Sequence, residues 1–577
     1  MDCRNETWRN GMNKRVIAVF FALIMIFTNS NAAYAKNYHE DDIEKYIVEQ
    51  MLAADIPGMS MSIVTSGREV YSASFGDIPN TTSDLEIGSL SKNFTALAAM
   101  QLIEDGKLDA DKKVSEYTPE YSGVSDVTIR DLLNQTSGIS EEEYINNISS
   151  GTGKGMYKDA NGNFNLLGKI IEKVSGQSYS DYVKQHIFDP LGMKSTYTID
   201  SKEAASEYVS GHSNFLGLPV KNKDGISEPD GWIESASSGI ISDVKDMGMY
   251  LQMYLNAGGK ILTYDTMNEM LSYKGNVPSG KGIFGKSSTY GMGWNRTQVN
   301  EQNIYYCCGA TAGYSSAMFL IPSQDVGITI LCNSSDVVAG NKLMEKTAAG
   351  VVNLVIGQKA KTIDSNKYLT AHIGIDALYL LIALIALVPL FTIGIWYKVS
   401  KKRRSVVKTI ADVVIHIIIP TIALIIIPKI LGKWSMIKML IPDAYYICIG
   451  SIVILYIGAV IKVILRIMIG RRDFSEDISD EEDDESDDEE DTLKEDDETE
   501  ATEADAAEDV LKEDVTKENV PEAEEQSDVS GDTVKIPDIK AEDKAKSKKH
   551  VDENGDEYRM PKKIILEPSS RKDKIKN

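Results

Sequence analysis

Ser89 and Lys92 are the residues of this 577-residue chain whose types and spacing most directly suggest covalent chemistry. They form Ser-x-x-Lys at the point where a polar stretch gives way to an apolar helical pattern. Ser89 is expected at the helix N-cap, where free N–H groups and the helix dipole favour an anionic oxygen. Residues three apart share one helix face, and an amine in an apolar site can accept the serine proton. A capping serine beside a surface lysine has the same spacing, so the pair needs further support.

The surrounding sequence supplies that support. Several long motifs occur in order along the chain: IPGMSMSIV, IGSLSKNFTALAAMQLIEDGKLDADKKVSEYTPEY, IRDLLNQTSGIS, NFNLLGKIIEKVSGQSY, HIFDPLGMKST, SSGIISDVKDMGMYLQMYLNAGG and YGMGWN. Their order resembles the serine β-lactamase and penicillin-binding protein superfamily, and within it the class C β-lactamase, D-alanyl carboxypeptidase and esterase group. The resemblance extends from Ile56 to Gly357.

This resemblance implies roles for particular residues. Ser89 would be the nucleophile that becomes acylated, and Lys92 its base partner. The backbone N–H groups of Ser89 and Ala310 would form the oxyanion hole. Acylation of Ser89 would then be followed by release of the acyl group to water.

The second motif of the family, Tyr-x-Asn, is altered in this chain. An ungapped alignment places Asp159-Ala160-Asn161 there, so Asn161 matches and Asp159 replaces the tyrosine. Tyr157 is the alternative, but it lies two residues too early and needs a local loop shift. An aspartate is shorter and ionised at neutral pH, so it can act as a base only with a different geometry. Gln135 stands where many relatives have histidine, a change expected to be structural.

The third motif is altered as well. The family's Lys or His, small residue and Gly correspond to Cys307, Cys308 and Gly309, which leaves no cation for a substrate carboxylate. Gly309 still lets the strand approach a ligand closely. The two thiols suggest a strained vicinal disulfide, a disulfide to Cys332, or simply buried cysteines on a strand.

The predicted fold of the region 36–361 is α+β. Strand patterns lie at both of its ends, with amphipathic helical patterns between them. This order predicts an antiparallel sheet whose first and last strands pair, flanked by helices and accompanied by a helical subdomain. By resemblance, this is the β-lactamase/transpeptidase arrangement.

A signal peptide is predicted before this domain, and membrane spans are predicted after it. The segment 1–35 has a basic start, an apolar run and a small-x-small end, which is typical of a signal peptide with Met12 as the true start. An uncleaved N-terminal anchor is the alternative. Three later apolar runs, 375–397, 410–428 and 444–465, are each long enough to cross a bilayer.

Basic clusters follow the first and third runs, which predicts that both clusters are cytoplasmic. The catalytic-type domain would then be extracytoplasmic, on a multi-pass protein of the cell membrane, and the tail would be cytoplasmic. Asp412 and His416 share one face of the second run. They are either a functional intramembrane pair or side chains that reach the membrane interface.

The formal net charge of -25 arises mostly after Arg471. The tail 471–577 is too acidic and too poor in apolar residues to bury a core, so it is expected to be disordered. It would be a solvated spacer or a docking segment for a cytoplasmic partner. The sequence has no basic stripe of the kind that binds nucleic acid, and no Cys or His spacing typical of a metal site. No organic cofactor is implied either.

Two functions are consistent with these features. The first is a membrane-tethered serine hydrolase that acts on a cell-wall, ester or amide substrate in a bacterium with peptidoglycan, through a Ser89 acyl-enzyme. The second is a catalytically degenerate relative that binds a cell-wall fragment or a partner and signals through its membrane spans and tail.

Overall fold

The computed structural model describes residues 38–201, 208–222, 229–272, 275–402 and 405–484, together with 550–551 and 557–558. The predicted signal segment and most of the predicted acidic tail lie outside these residues. The chain divides into two compact units, one reaching Arg466 and the other covering Ile467–Pro561. The second unit contains the end of a long helix and the antiparallel pair His550–Val551 with Glu557–Tyr558.

An eight-stranded antiparallel sheet forms the centre of the first unit, with strand order β2-β1-β13-β12-β11-β10-β9-β8. Its strands are β1 Gly58–Val64, β2 Glu69–Gly76, β8 Val277–Lys281, β9 Ser287–Gly291, β10 Trp294–Val299, β11 Gln302–Ala310, β12 Ser315–Ile321 and β13 Val326–Cys332. Six short strands form two smaller sheets: β3 Leu85–Glu86, β4 Tyr197–Thr198, β5 His212–Phe215, β6 Leu218–Lys221, β7 Ile240–Ser242 and β14 Ser334–Ser335. β1 pairs with β13, so the first and last parts of the domain meet as predicted.

The helices lie before, between and after these strands. Those of the sheet domain are α1 Glu40–Ala53, α2 Ser91–Glu104, α3 Ile129–Leu133, α4 Asn161–Ser175, α5 Tyr179–Val183, α6 Asp189–Leu191, α7 Val244–Leu255, α8 Tyr264–Ser272 and α9 Gly340–Val355. The C-terminal helices are α10 Ser365–Phe391, α11 Ile393–Lys402, α12 Val406–Val413, α13 Ile419–Leu431, α14 Trp434–Leu440 and α15 Pro442–Asp484. The predicted α+β class is therefore confirmed.

Helices cover the central sheet on both faces. One apolar cluster joins the sheet to the central helices and contains Phe94, Phe164 and Trp294. The other lies under α1 and α9 on the opposite face and contains Ile47 and Phe319. Successive side chains of a strand point to opposite faces, so each inner strand contributes to both clusters.

Helix α2 is buried on nearly all sides, which fixes its position relative to the sheet. Its Asn93 donates to the backbone oxygen of Gly293 at 3.2 Å and accepts a hydrogen bond from Tyr250 at 2.6 Å. These two contacts hold the start of α2 between β10 and α7. The Ser-x-x-Lys motif therefore lies at a rigid place in the domain.

Three helical segments are long and apolar enough to cross a membrane: Ser365–Phe391, Val406–Leu431 and Pro442–Gly470. They contain the predicted spans in large part, but the first begins ten residues earlier than the sequence indicated. Helix α15 continues to Asp484, whereas disorder was predicted from residue 471 onward. Glutamate favours helices, so an acidic stretch can extend a helix that is already formed.

Asp412 does not pair with the His416 side chain, because His416 Nδ1 contacts the backbone oxygen of Asp412 at 2.9 Å. The Asp412 carboxylate instead lies 2.7 Å from both Lys462 and Arg466. It also accepts a hydrogen bond from the Trp396 indole at 2.9 Å. Lys462 and Arg466 belong to the third candidate span, and Trp396 belongs to α11, which follows the first, so the carboxylate links the second span to both neighbouring segments.

Candidate active site

Ser89 lies in a single 3-10 turn, Gly88–Leu90, that leads directly into α2. The expectation that Ser89 caps α2 is therefore wrong: Leu90 occupies the N-cap position, and no side chain caps the helix there. Lys92 is the second residue of α2, and residues three apart share one face of a helical turn. Lys92 Nζ accordingly lies 3.2 Å from Ser89 Oγ, and the lysine side chain is only 6% exposed.

Asp159 is the second partner of Lys92. Its Oδ1 lies 2.7 Å from Lys92 Nζ, and its side chain is 55% exposed at the mouth of the cleft. Partial desolvation of the carboxyl raises its pKa, but the Lys92 charge and hydrogen bonds from Lys92 and Gln135 outweigh this, and the net pKa is lowered. Asp159 is therefore an ionised carboxylate that neutralises the amine beside the candidate nucleophile.

Gln135 positions the segment that carries Asp159. Its Oε1 accepts a hydrogen bond from the backbone N–H of Ala160 at 2.7 Å, and its side chain also bonds to Asp159. Its backbone has a φ of 56°, which is uncommon for a residue with a side chain. The sequence indicated a structural role for Gln135, but its contacts place it directly behind the site.

The end of β11 packs against the turn that carries Ser89. A methyl group added at Gly309 would lie 2.5 Å from Ile87 O and 2.8 Å from Ser89 N, so only glycine fits there. One added at Gly88 would lie 2.8 Å from Ala310 N. Ser89 and Ala310, whose backbone N–H groups are the ones predicted for an oxyanion hole, both line the same cleft.

Cys307 and Cys308 are free thiols on opposite faces of β11, and Cys332 is also free. Cys307 is buried and donates to the backbone oxygen of Gly293 at 2.9 Å. Burial raises the pKa of the Cys307 thiol well above its ordinary value, so it is neutral. The position of the family's cation therefore carries no charge, and the cysteines form none of the disulfides considered from the sequence.

Of the other two residues predicted for the second motif, Asn161 lies in the cleft and Tyr157 does not line it. Asn161, the first residue of α4, lines the cleft and donates to Trp232 O at 3.2 Å. Tyr157, the alternative to Asp159, packs its ring 5.0 Å from that of Tyr290. Asp159 is thus the residue of this segment that contacts Lys92.

The cleft has a cavity volume of about 120 Å³. Its lining residues are Ser89, Lys92, Glu141, Asp159, Asn161, Trp232, Ile233, Ser238, Ala310 and Leu440. Of these described residues Lys92 alone is cationic, and Asp159 neutralises it. Burial raises the pKa of Glu141, and the nearby Asp159 charge raises it further.

Sequence reasoning missed five of these cleft residues: Glu141, Trp232, Ile233, Ser238 and Leu440. The first two belong to loops with no recognisable motif, and Leu440 lies between two membrane segments.

Asp159→Asn is expected to reduce stability in a pH-dependent way. The pKa of Asp159 is lowered in the folded protein, so its ionic contribution is complete above the ordinary aspartate value. It disappears as the pH falls through the lowered pKa. The carboxylate is more than half exposed, so solvent screening limits the change in unfolding free energy to about 1 kcal/mol at neutral pH.

The measurement is the Tm of the full-length protein in detergent, from about pH 2 to about pH 6. The difference in Tm between wild type and Asp159→Asn should narrow as the pH falls. Asp105→Asn, at an exposed pair with Lys107, is the control. A difference that does not change with pH would show that the charge of Asp159 contributes nothing to stability.

Comparison with known proteins agrees with this architecture. The Beta-lactamase family model matches residues 43–350, which is more than half of the chain, and the chain therefore belongs to the Beta-lactamase family.

Three similar proteins illustrate the relationship. Protein flp of Staphylococcus aureus (strain MW2) is 28% identical over 349 residues, covering 55% of this chain and 67% of that protein. The octameric penicillin-binding protein homologue from Pyrococcus abyssi is 26% identical with a TM-score of 0.48, covering 56% and 78% of the two chains. The class C β-lactamase from Rhodobacter sphaeroides is 20% identical with a TM-score of 0.46, covering 54% and 99%.

Proposed function

We propose that this protein is an active, membrane-tethered serine hydrolase that works through an acyl-enzyme on Ser89. The observation that carries the proposal is the 3.2 Å contact between Lys92 Nζ and Ser89 Oγ at an open cleft. Acyl transfer also requires stabilisation of the oxyanion, and the presence of both Ser89 and Ala310 in this cleft supports their backbone N–H groups for that role.

In the proposed reaction, Ser89 Oγ adds to the substrate carbonyl while its proton passes to the amine of Lys92. The proton then moves to the leaving alcohol or amine as its bond to the carbonyl carbon breaks. Water releases the acyl group and restores the serine. An ammonium cannot accept the Ser89 proton, so the reaction requires Lys92 as the neutral amine, and the 2.7 Å ion pair with Asp159 opposes that form.

The charge of the cleft favours a substrate without a carboxylate next to the scissile bond. Cys307 replaces the family's cation, and the Lys92 charge is taken up by Asp159. A carboxylate substrate would meet Asp159 and Glu141 with no free cation among the described cleft residues. A neutral ester or amide, including one derived from the cell wall, fits this cleft better than a free peptide terminus.

The proposed topology places the sheet domain outside the cytoplasm and the acidic tail inside. The basic residues after the first and third spans support it. The short helix α14, between the second and third spans, contacts the sheet domain through Tyr144. Contact between these two segments supports their lying on the same side of the membrane.

The test is covalent labelling of the purified full-length protein with a fluorescent penicillin and, separately, with a fluorophosphonate. Intact mass should show one adduct with the fluorophosphonate, and peptide mapping should locate it on Ser89. Weak or absent labelling by the penicillin is expected, because that ligand carries a carboxylate. An adduct on a different residue, or none with either probe, would overturn the proposal.

The alternative function, a receptor without catalysis, is favoured by one specific observation. Lys92 Nζ lies closer to Asp159, at 2.7 Å, than to Ser89, at 3.2 Å, so the amine is held as half of an ion pair. A receptor would show no adduct with either probe but saturable binding of a soluble peptidoglycan fragment.

A further inference from the structure

Helix α14, which connects the second and third membrane spans, forms part of the wall of the catalytic cleft. Leu440 at its end lines the same cleft as Ser89. Met436, one turn earlier, is buried in an apolar cluster with Ile233 and Ile241 of the sheet domain. The helix is therefore a packed component of the site.

Tyr144 of the sheet domain attaches the other end of α14. The ammonium of Lys433 lies 3.1 Å from the centroid of the Tyr144 ring, and the Ser435 hydroxyl is 3.2 Å from the Tyr144 hydroxyl. A cation over an aromatic face contributes roughly 0.5–1 kcal/mol at an exposed site. Both ends of α14 thus contact the domain that carries the nucleophile.

The position of α14 along the chain places the cleft at the membrane surface. The second span ends at Leu431 and the third begins at Pro442. Leu440 is two residues from that third span, a chain distance of at most about 7 Å. The cleft that contains Ser89 therefore begins within a few ångströms of the end of a membrane span.

Aromatic residues give an independent indication of the same depth. Trp434 packs against Tyr445 with ring centroids 6.0 Å apart, and Tyr445 packs against Tyr446 at 5.2 Å. Tyr446 is 53% exposed on the described surface. Tryptophan and tyrosine concentrate where hydrocarbon meets water, so α14 and the start of α15 carry the residues expected at that boundary.

We propose that the substrate is a membrane-anchored neutral ester or amide, whose lipid part remains in the bilayer while its scissile carbonyl reaches Ser89. The apolar wall formed by Trp232, Ile233 and Leu440 suits the part of such a molecule next to its anchor. Ser89 Oγ bonds to the carbonyl carbon, the ester or amide bond breaks, and the leaving group takes the serine proton. Water then releases the acid. This inference rests on the proposed acyl-enzyme function.

The test uses the full-length protein in phosphatidylcholine vesicles and three probes with the same fluorophosphonate head. One probe is soluble, and two are attached to a dialkylglycerol anchor through spacers of about 10 Å and about 40 Å. The rate of Ser89 adduct formation is read by mass. The short-spacer probe should react at least about tenfold faster than the soluble probe at equal bulk concentration, because anchoring raises the effective concentration at the site.

Comparing the two spacers distinguishes two reasons for a faster reaction: Ser89 lies close to the bilayer surface, or the anchored probe simply accumulates in the vesicle. If Ser89 lies at the surface, the short spacer is sufficient and the longer one gives no faster reaction. Leu440→Asp should slow the short-spacer probe about tenfold, since a charge at this partly buried position disrupts the apolar wall. Leu440→Ala is a milder second variant, and Lys438→Ala, an exposed position on the same helix, should leave the rate unchanged.

The possible outcomes distinguish the two proposals. Reaction with the soluble probe but not with the short-spacer probe would overturn the membrane-anchored substrate and leave the hydrolase intact. Reaction of the long-spacer probe alone would overturn it too, because Ser89 would then lie far from the bilayer. Failure of all three probes would instead reject the acyl-enzyme itself.

Discussion

Lys92→Met is expected to slow acylation of Ser89 about a thousandfold, within the range found for removal of a general base. The side chain of methionine has a similar length and suits a buried position, but it cannot accept the serine proton. Lys92 Nζ lies 3.2 Å from Ser89 Oγ, so its loss removes the amine next to the nucleophile. The rate of fluorophosphonate adduct formation by the full-length protein measures this effect, with Ser89→Ala as the baseline.

Lys107→Met is the matched control for this substitution. Lys107 also pairs with an aspartate, at 2.9 Å, but its side chain is 57% exposed and lies at the other end of α2. The control should acylate like the wild type. If Lys92→Met acylated at the wild-type rate as well, Lys92 would not be the base, and Asp159 would become the candidate.

Gly309→Ala is expected to reduce acylation about a hundredfold, as the loss of one oxyanion-hole donor does. The added methyl group would lie 2.5 Å from Ile87 O and 2.8 Å from Ser89 N, both backbone atoms that cannot move independently. β11 must therefore shift away from the turn, and this shift would move the N–H group of Ala310 relative to that of Ser89, the two donors proposed for the oxyanion. Overpacking of this kind also lowers the unfolding free energy by about 1–3 kcal/mol.

Adduct formation and Tm should be measured together, so that lost function is not mistaken for lost folding. Gly67→Ala serves as the control, because a methyl group at Gly67 would meet nothing within 4 Å. A Gly309→Ala protein that acylates normally would show that the approach of β11 to Ser89 is not needed for the reaction. If the Gly309→Ala variant keeps the wild-type Tm but loses acylation, the loss of acylation is due to the oxyanion site.

The local parts of the site were predictable from the sequence. Ser89 and Lys92 are three residues apart, so any helical turn brings them together, and the sequence indicated this before the structure was known. The order of motifs around them predicted the family, and alternating apolar residues predicted strands at both ends of the domain. The exact turn was not predictable, because 3-10 and α-helical starts differ by one hydrogen bond.

The membrane segments were also predictable, because length and apolar character are properties of a contiguous stretch. The boundaries of these segments were less predictable. The first span begins at Ser365 rather than 375, since its polar first turns were not recognised as helix. The partner of Asp412 was missed because it lies on another span, 50 residues away at Lys462.

The sequence by itself determined the fold class, the family, the candidate nucleophile with its neighbouring amine, and the three candidate membrane segments. Only the tertiary structure decided that Asp159, 67 residues from Lys92, neutralises it, and that Leu440 forms a wall of the cleft. The physical reason is the distance along the chain over which each kind of signal acts. Spacing and periodicity act over a few residues, whereas these contacts exist only after the sheet, the helical cluster and the membrane connection have packed together.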